Sequence, residues 1–194
     1  MNVLINRALE GFLRDTYGAE AWEAIESIAD SEVEFFDFDA GEADPVTGFD
    51  FGSILAAAVE HLGKARSDVL EDLGTYLVSH PNMDALRRLL RFSGVTFPDF
   101  LHSLDDLPDR ARLAVSDLRL PSLELLETGP LEYDLLVARN EFDFGHILVG
   151  VIRAMADDYG SLAMIDLTEP GKLKIAVHQT EFAEAKPFEL VSSA

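Results

Sequence analysis

The chain contains no cysteine. Disulfides, a cysteine nucleophile, thiolate-ligated zinc and thiolate-ligated haem are therefore excluded. A cytoplasmic location is the expectation that fits a chain without disulfides. Positive charge is scarce: 15 Lys and Arg stand against 36 Asp and Glu, for a formal net charge of -21. Proteins grip phosphate backbones with clustered Lys and Arg, so nucleic acid is not an expected partner. An anionic membrane surface would repel such a chain as well. No apolar run reaches the roughly 18 residues of a membrane span. Asn6, Arg7, Glu10, Arg14 and Asp15 occupy the stretch that a secretory leader would need to be apolar, so no leader is expected.

Enzyme signatures are missing too. There is no Gly-x-Gly-x-x-Gly, no phosphate loop, no Gly-x-Ser-x-Gly and no His-Glu-x-x-His. No two histidines stand three or four residues apart, so a helical metal pair is not expected. Asp105, Asp106 and Asp109 read as a solvated acidic face, because adjacent helical residues point in different directions. The acidic stretch Glu32, Glu34, Asp37, Asp39, Glu42 and Asp44 matches no calcium loop. No catalytic residue and no metal site emerge, and the expected function is not enzymatic.

What the chain does have is a core. Its 194 residues are 48% hydrophobic and 26% charged, enough for one globular domain. Apolar periodicity predicts helices over Met1–Tyr17, Ala19–Ala29, Phe51–Leu62, Ser67–Ser79 and Met83–Phe92, with another starting at Pro98 and running to Leu107 or beyond. Ser67 is the expected cap of the fourth. Residues 30–49 read as an acidic loop with an extended piece at Val33–Phe38. After Leu120-Pro121-Ser122 the pattern changes. Strands are predicted at Leu123–Glu127, Tyr133–Ala138, Leu162–Leu167 and Leu173–Gln179, with an amphipathic helix at Phe144–Tyr159 between the pairs. An extended segment is expected after Thr180. The fold class is thus α+β: a helical lobe over 1–119, then a lobe over 120–194 with a mainly antiparallel sheet and one long helix. Met83, Met155, Met164, Phe92, Phe97, Phe100, Phe142 and Phe144 are core candidates.

Several segments, in order, resemble the haem-nitric oxide/oxygen binding (H-NOX) family. They are Val3-Leu4-Ile5-Asn6-Arg7-Ala8-Leu9-Glu10, then Tyr17-Gly18-Ala19-Glu20-Ala21-Trp22, Leu104-Asp105-Asp106-Leu107-Pro108 and Arg119-Leu120-Pro121-Ser122, and last the glycine-containing helix at Ile147–Ile152. The resemblance implies an H-NOX-like fold over 1–194. It also implies a sensory or regulatory role exercised in trans, on a histidine kinase or a cyclic-dinucleotide enzyme. In the family, Leu-Asp-x-Leu-His carries the only protein ligand to the haem iron; here Pro108 stands at the histidine position. The family's propionate clamp, Tyr-x-Ser-x-Arg, falls on Leu135, Val137 and Arg139, so only the arginine is kept.

Proline has no donor for iron. Conventional haem binding is therefore not expected, and haem b enters only if the family function survives. Two histidines are alternative ligands. His102 lies six residues before Pro108, roughly 120° around a continuous helix. His146 lies early in the glycine-containing helix and approaches the distal side of the cavity. Leu135 and Val137 favour a cavity that is partly filled or holds an apolar small molecule.

Overall fold

Helix α1 (Val3–Tyr17) buries Leu9, Phe12 and Leu13, which recur at the spacing of one helical face. It stops at Gly18, whose positive φ (89°) lets its N–H turn back to the Arg14 carbonyl. Helix α2 (Ala19–Val33) turns Trp22, Ile25 and Ala29 inward, and α3 (Phe51–Leu62) buries Phe51, Ile54, Leu55, Ala57 and Ala58. Helix α4 (Arg66–Ser79) follows, then α5 (Asp84–Arg91), α6 (Phe97–His102) and α7 (Leu107–Ala114). The structure, a computed structural model, describes residues 3–33, 51–92, 94–114, 120–138 and 143–179.

The sheet comes next. Strands β1 (Leu123–Gly129) and β2 (Glu132–Val137) form a hairpin, and α8 (Phe144–Asp158) leads to a second hairpin, β3 (Leu162–Glu169) and β4 (Lys172–Gln179). The order is β1-β2-β4-β3, every pair antiparallel. Leu135 of β2 stands opposite Leu125 of β1 and Leu173 of β4, and Tyr133 stands opposite Ile175, which in turn faces Ile165. Leu135, Leu173, Ile175 and Ile165 are buried, so one face of the sheet joins the same apolar core as the helices. This is the α+β order expected, a helical N-terminal region followed by a four-stranded antiparallel sheet.

Helix α8 packs most extensively on α4. Gly74 and Gly150 let the two backbones approach, and Glu71 of α4 receives Arg153 of α8 at 2.5 Å and His146 at 3.3 Å. Arg153 also donates to the Ile165 carbonyl (3.0 Å), which ties α4, α8 and β3 together.

Strand and helix ends shift by one or two residues, as at β1, which runs to Gly129, and larger details differ from the sequence reading as well. Helix α2 continues to Val33 rather than ending at Ala29. Helix α4 starts at Arg66 with Ala65 at its cap, and the Ser67 hydroxyl turns to Asp68. The helix starting near Pro98 ends at His102, where the last N–H groups close short turns instead. Phe92 is 87% and Met164 58% exposed, so neither is core. Phe97, Phe100 and Met155 are buried as expected, and Met83 and Phe144 pack half-buried against the core. Phe142, the acidic loop beyond Val33 and the segment after Gln179 lie outside the described residues.

Candidate functional site

Pro108 occupies the second position of α7. The first-turn N–H groups of a helix have no intrahelical partner, so proline's missing N–H costs nothing there. The Leu104 carbonyl, four residues before Pro108, accepts instead from the Leu107 N–H (3.1 Å). Proline therefore begins a helix and does not kink one. The turn before it is pinned from several sides. The Ser103 hydroxyl donates to the Phe100 carbonyl (2.6 Å), and the Arg110 guanidinium donates to the Ser103 carbonyl (3.1 Å). The Asp105 carboxylate accepts the Leu125 N–H (2.6 Å), which fastens the turn to β1.

Upstream, Thr96 and Asp99 cap α6 reciprocally. The backbone N–H of Thr96 beside Asp99 holds that carboxyl below the usual carboxylate value. Pro108 itself is buried, and so are Leu104, Leu107 and Ala111 around it in the sequence. No atom of the proline side chain can donate an electron pair to iron.

Leu135 and Val137, two of the three residues matched to the clamp motif, are packed as apolar side chains. Leu135 is fully buried in mid-sheet between Leu125 and Leu173, and Val137 is buried at the end of β2, where its N–H bonds the Gly171 carbonyl (2.7 Å). Neither side chain donates a hydrogen bond. Arg139 lies outside the described residues.

The two alternative ligands are apart and engaged. His102 is the last residue of α6, so residues 103–106 separate it from α7, and the angle reckoned on one continuous helix does not apply. It sits at the surface, Nε2 3.1 Å from a Glu127 carboxylate oxygen and its ring edge-on to Tyr133. His146 sits in the first turn of α8 with Nδ1 beside Glu71. The other histidines are placed no better: His61 and His178 are exposed, while His80 stacks on Tyr76 and faces Asp15. Among the described residues no three His, Asp or Glu converge as a metal site.

One cleft, of about 380 Å³, brings two of the singled-out positions together. Val137 and His146 both line it, between the end of β2, the start of α8 and the β3–β4 turn. Its carboxylates are Asp143 and Glu169, and Arg66 reaches Asp143 at 3.2 Å. The sequence reading missed the α4–α8 seam. Gly74 and Gly150 were visible as small residues on helices, but a pattern on one helix does not name the helix it meets.

Comparison with known proteins gives a consistent picture. A family model described as Haem-NO-binding matches residues 3–166. Among solved structures, the Fe(II) unliganded H-NOX protein from K. algicida is similar at a TM-score of 0.71 and 16% identity, covering 94% of this chain and 99% of that one. An H-NOX protein from S. oneidensis in the Fe(II)NO ligation state is similar at 0.65 and 15%, covering 92% and 100%. The I5F mutant of T. tengcongensis H-NOX is similar at 0.63 and 14%, covering 94% and 100%. No curated protein sequence matched.

Proposed function

The chain belongs to the Haem-NO-binding (H-NOX) family of sensory domains, and within it we propose a member that does not hold haem by an axial histidine and passes its signal in trans to a partner protein. The observation that carries this reading is Pro108: it is buried, lacks a donor, and sits at the start of α7 where the family motif calls for the iron ligand. Leu135 and Val137 support it, since two hydroxyl positions of the clamp have become core residues. These changes agree with one another, because a pocket that no longer holds a dianionic porphyrin has no use for donors aimed at its carboxylates.

A haem-sized void left empty would be destabilising. The space in this member is therefore filled by its own side chains or by an apolar small molecule. Binding in that space would shift the helical lobe against the sheet lobe only insofar as the ligand favours one arrangement. The α4–α8 seam is the most extensive contact between helices of the two among the described residues. The partner class implied by the family is a histidine kinase or a cyclic-dinucleotide enzyme. The cysteine-free composition supports a cytoplasmic setting, and no helix among the described residues is long and apolar enough to cross a membrane. Among the described residues, no converging nucleophile, base or metal group supports a catalytic role.

The test is an absorption spectrum after incubation with haemin and gel filtration. The expected result is a colourless protein. A stoichiometric Soret band that moves with nitric oxide or carbon monoxide would refute the reading. A specific observation favours one alternative, haem with a non-standard ligand: His146 lines the same cleft as Val137. Loss of such a band in His146→Ala, or in His102→Ala, would identify that ligand.

A further inference from the structure

Helix α5 departs from the charge of the rest of the chain. Arg87, Arg88 and Arg91 fall within five residues, in a protein with only 15 Lys and Arg. Arg87 and Arg91 both turn to Asp158, so one carboxylate is set against two guanidiniums. Arg88 points to solvent with no ion pair among the described residues. One turn on, Phe92 is 87% exposed, and Val95 is 90% exposed before α6 begins.

This exposure does not come from a loose connection. The Arg91 guanidinium lies 4.1 Å above the Tyr159 ring and donates to the Asp158 carbonyl (2.8 Å). The Tyr159 hydroxyl donates to the Gly94 carbonyl (3.0 Å). The Phe92 N–H closes back on the Arg88 carbonyl (2.9 Å), and Thr96 is locked in its capping box with Asp99. The backbone is thus held from beneath while two large apolar side chains and one arginine face outward. An aromatic and an arginine on a preorganised backbone are the composition of an interface anchor, since little ordering entropy remains to be lost on binding.

We propose that Arg88, Phe92 and Val95 form the docking surface for an acidic segment of a partner protein that brings at least one large apolar side chain. Charge decides among occupants. In a twofold pair of copies this patch would meet itself, arginine against arginine, between chains that each carry -21. Anionic lipid and nucleic acid would have to approach the same acidic body. A short acidic segment needs to meet only α5. The inference deepens the trans-signalling reading and rests on it for the existence of a partner.

The experiment places the photo-cross-linking residue p-benzoylphenylalanine at Phe92, Val95 or Leu113 in full-length protein in its native cells. Leu113 is equally exposed on α7 and serves as the control position. Cross-linked peptides are identified by mass spectrometry. The expected result is one protein adduct from positions 92 and 95, absent at 113, whose cross-linked peptide is acidic. With that partner purified, Arg88→Glu and Phe92→Ala should each weaken binding by at least about tenfold. Changing a contacting partner carboxylate to Lys should restore binding to Arg88→Glu. All variants should keep the parent circular dichroism spectrum.

An adduct to a second copy, to lipid or to nucleic acid would overturn the proposal. So would an acidic partner whose affinity ignores Arg88→Glu. A protein adduct found only at position 113 would overturn this surface and leave the trans reading standing. No protein adduct at any of the three positions would count against both.

Discussion

Gly74 on α4 and Gly150 on α8 each face the backbone of the other helix. A methyl group at Gly74 would run into the Ile147 carbonyl, and one at Gly150 into the Glu71 carbonyl. The obstacles are main-chain atoms of packed helices, which cannot rotate away as a side chain can. Gly74→Ala and Gly150→Ala should therefore each destabilise the fold by about 1–3 kcal/mol, despite the better helix propensity of alanine. Urea midpoints would show it. The double variant should cost less than the sum, because one separation of the helices relieves both clashes. Full additivity would mean that the two sites do not share a seam.

Glu71 sits beside that crossing and meets two side chains of α8, the Arg153 guanidinium and the His146 ring, with Arg153 carrying the link onward to the Ile165 carbonyl. Arg153 is half exposed, so solvent screens the pair, and Glu71→Gln should cost no more than about 1 kcal/mol. The loss should shrink as salt is raised from low to physiological concentration. A cost that salt does not change would show that Glu71 acts through packing instead. Together with the glycine variants, this separates the steric part of the α4–α8 joint from its electrostatic part.

Much of this architecture is legible in the sequence, because the core is written in periodicities. Leu9, Phe12 and Leu13 repeat as a helix face must. Tyr133, Leu135 and Val137 alternate as a half-buried strand must. Less legible is anything set by a partner element. The helix break after His102 depends on Ser103, Asp105 and Arg110 finding acceptors and donors across the turn, one of them on β1. Phe92 reads as core by residue type, yet the packing of Arg91 on Tyr159 leaves it facing solvent. Of the candidate site, Pro108, Leu135 and Val137 could be singled out from the motif alone. That Val137 and His146 line one cleft could not, since it joins a strand end to a helix start.

The Tyr76–Asp15 pair makes stability depend on pH at both extremes. The Tyr76 hydroxyl donates to Asp15 (2.7 Å), and burial first, then that hydrogen bond, pushes its pKa up to about 12. A raised folded value favours the protonated phenol. This contribution is complete below about 10, the ordinary tyrosine value, and is lost as pH rises through about 12. Asp15 goes the other way: the Tyr76 hydrogen bond lowers its pKa, so its contribution is present above the ordinary value of 3.8 and lost as the medium turns more acid. Urea midpoints should fall between pH 10 and 12, and less steeply in Tyr76→Phe. Asp15→Asn should flatten the acid limb. A parent and Tyr76→Phe with the same alkaline limb would show that the phenol is not held in this way.

Pro108→His tests the proposed function by trying to reverse it. The substitution falls at a first-turn position whose N–H needs no intrahelical partner, so the helix should survive. Giving up the preset proline backbone should cost about 0.4–1 kcal/mol, within reach of a domain of ordinary stability. If only the axial donor is missing, haemin titration of the variant should saturate with a distinct Soret band while the parent stays featureless. Haem should still wash out on gel filtration, because Leu135 and Val137 offer nothing to the propionates. A variant that folds but never takes up haemin would mean that the core has closed over the space. An apolar ligand there would then have to displace side chains rather than enter a cavity. A parent that titrates as well as the variant would show that some other group, His146 foremost, already binds the iron.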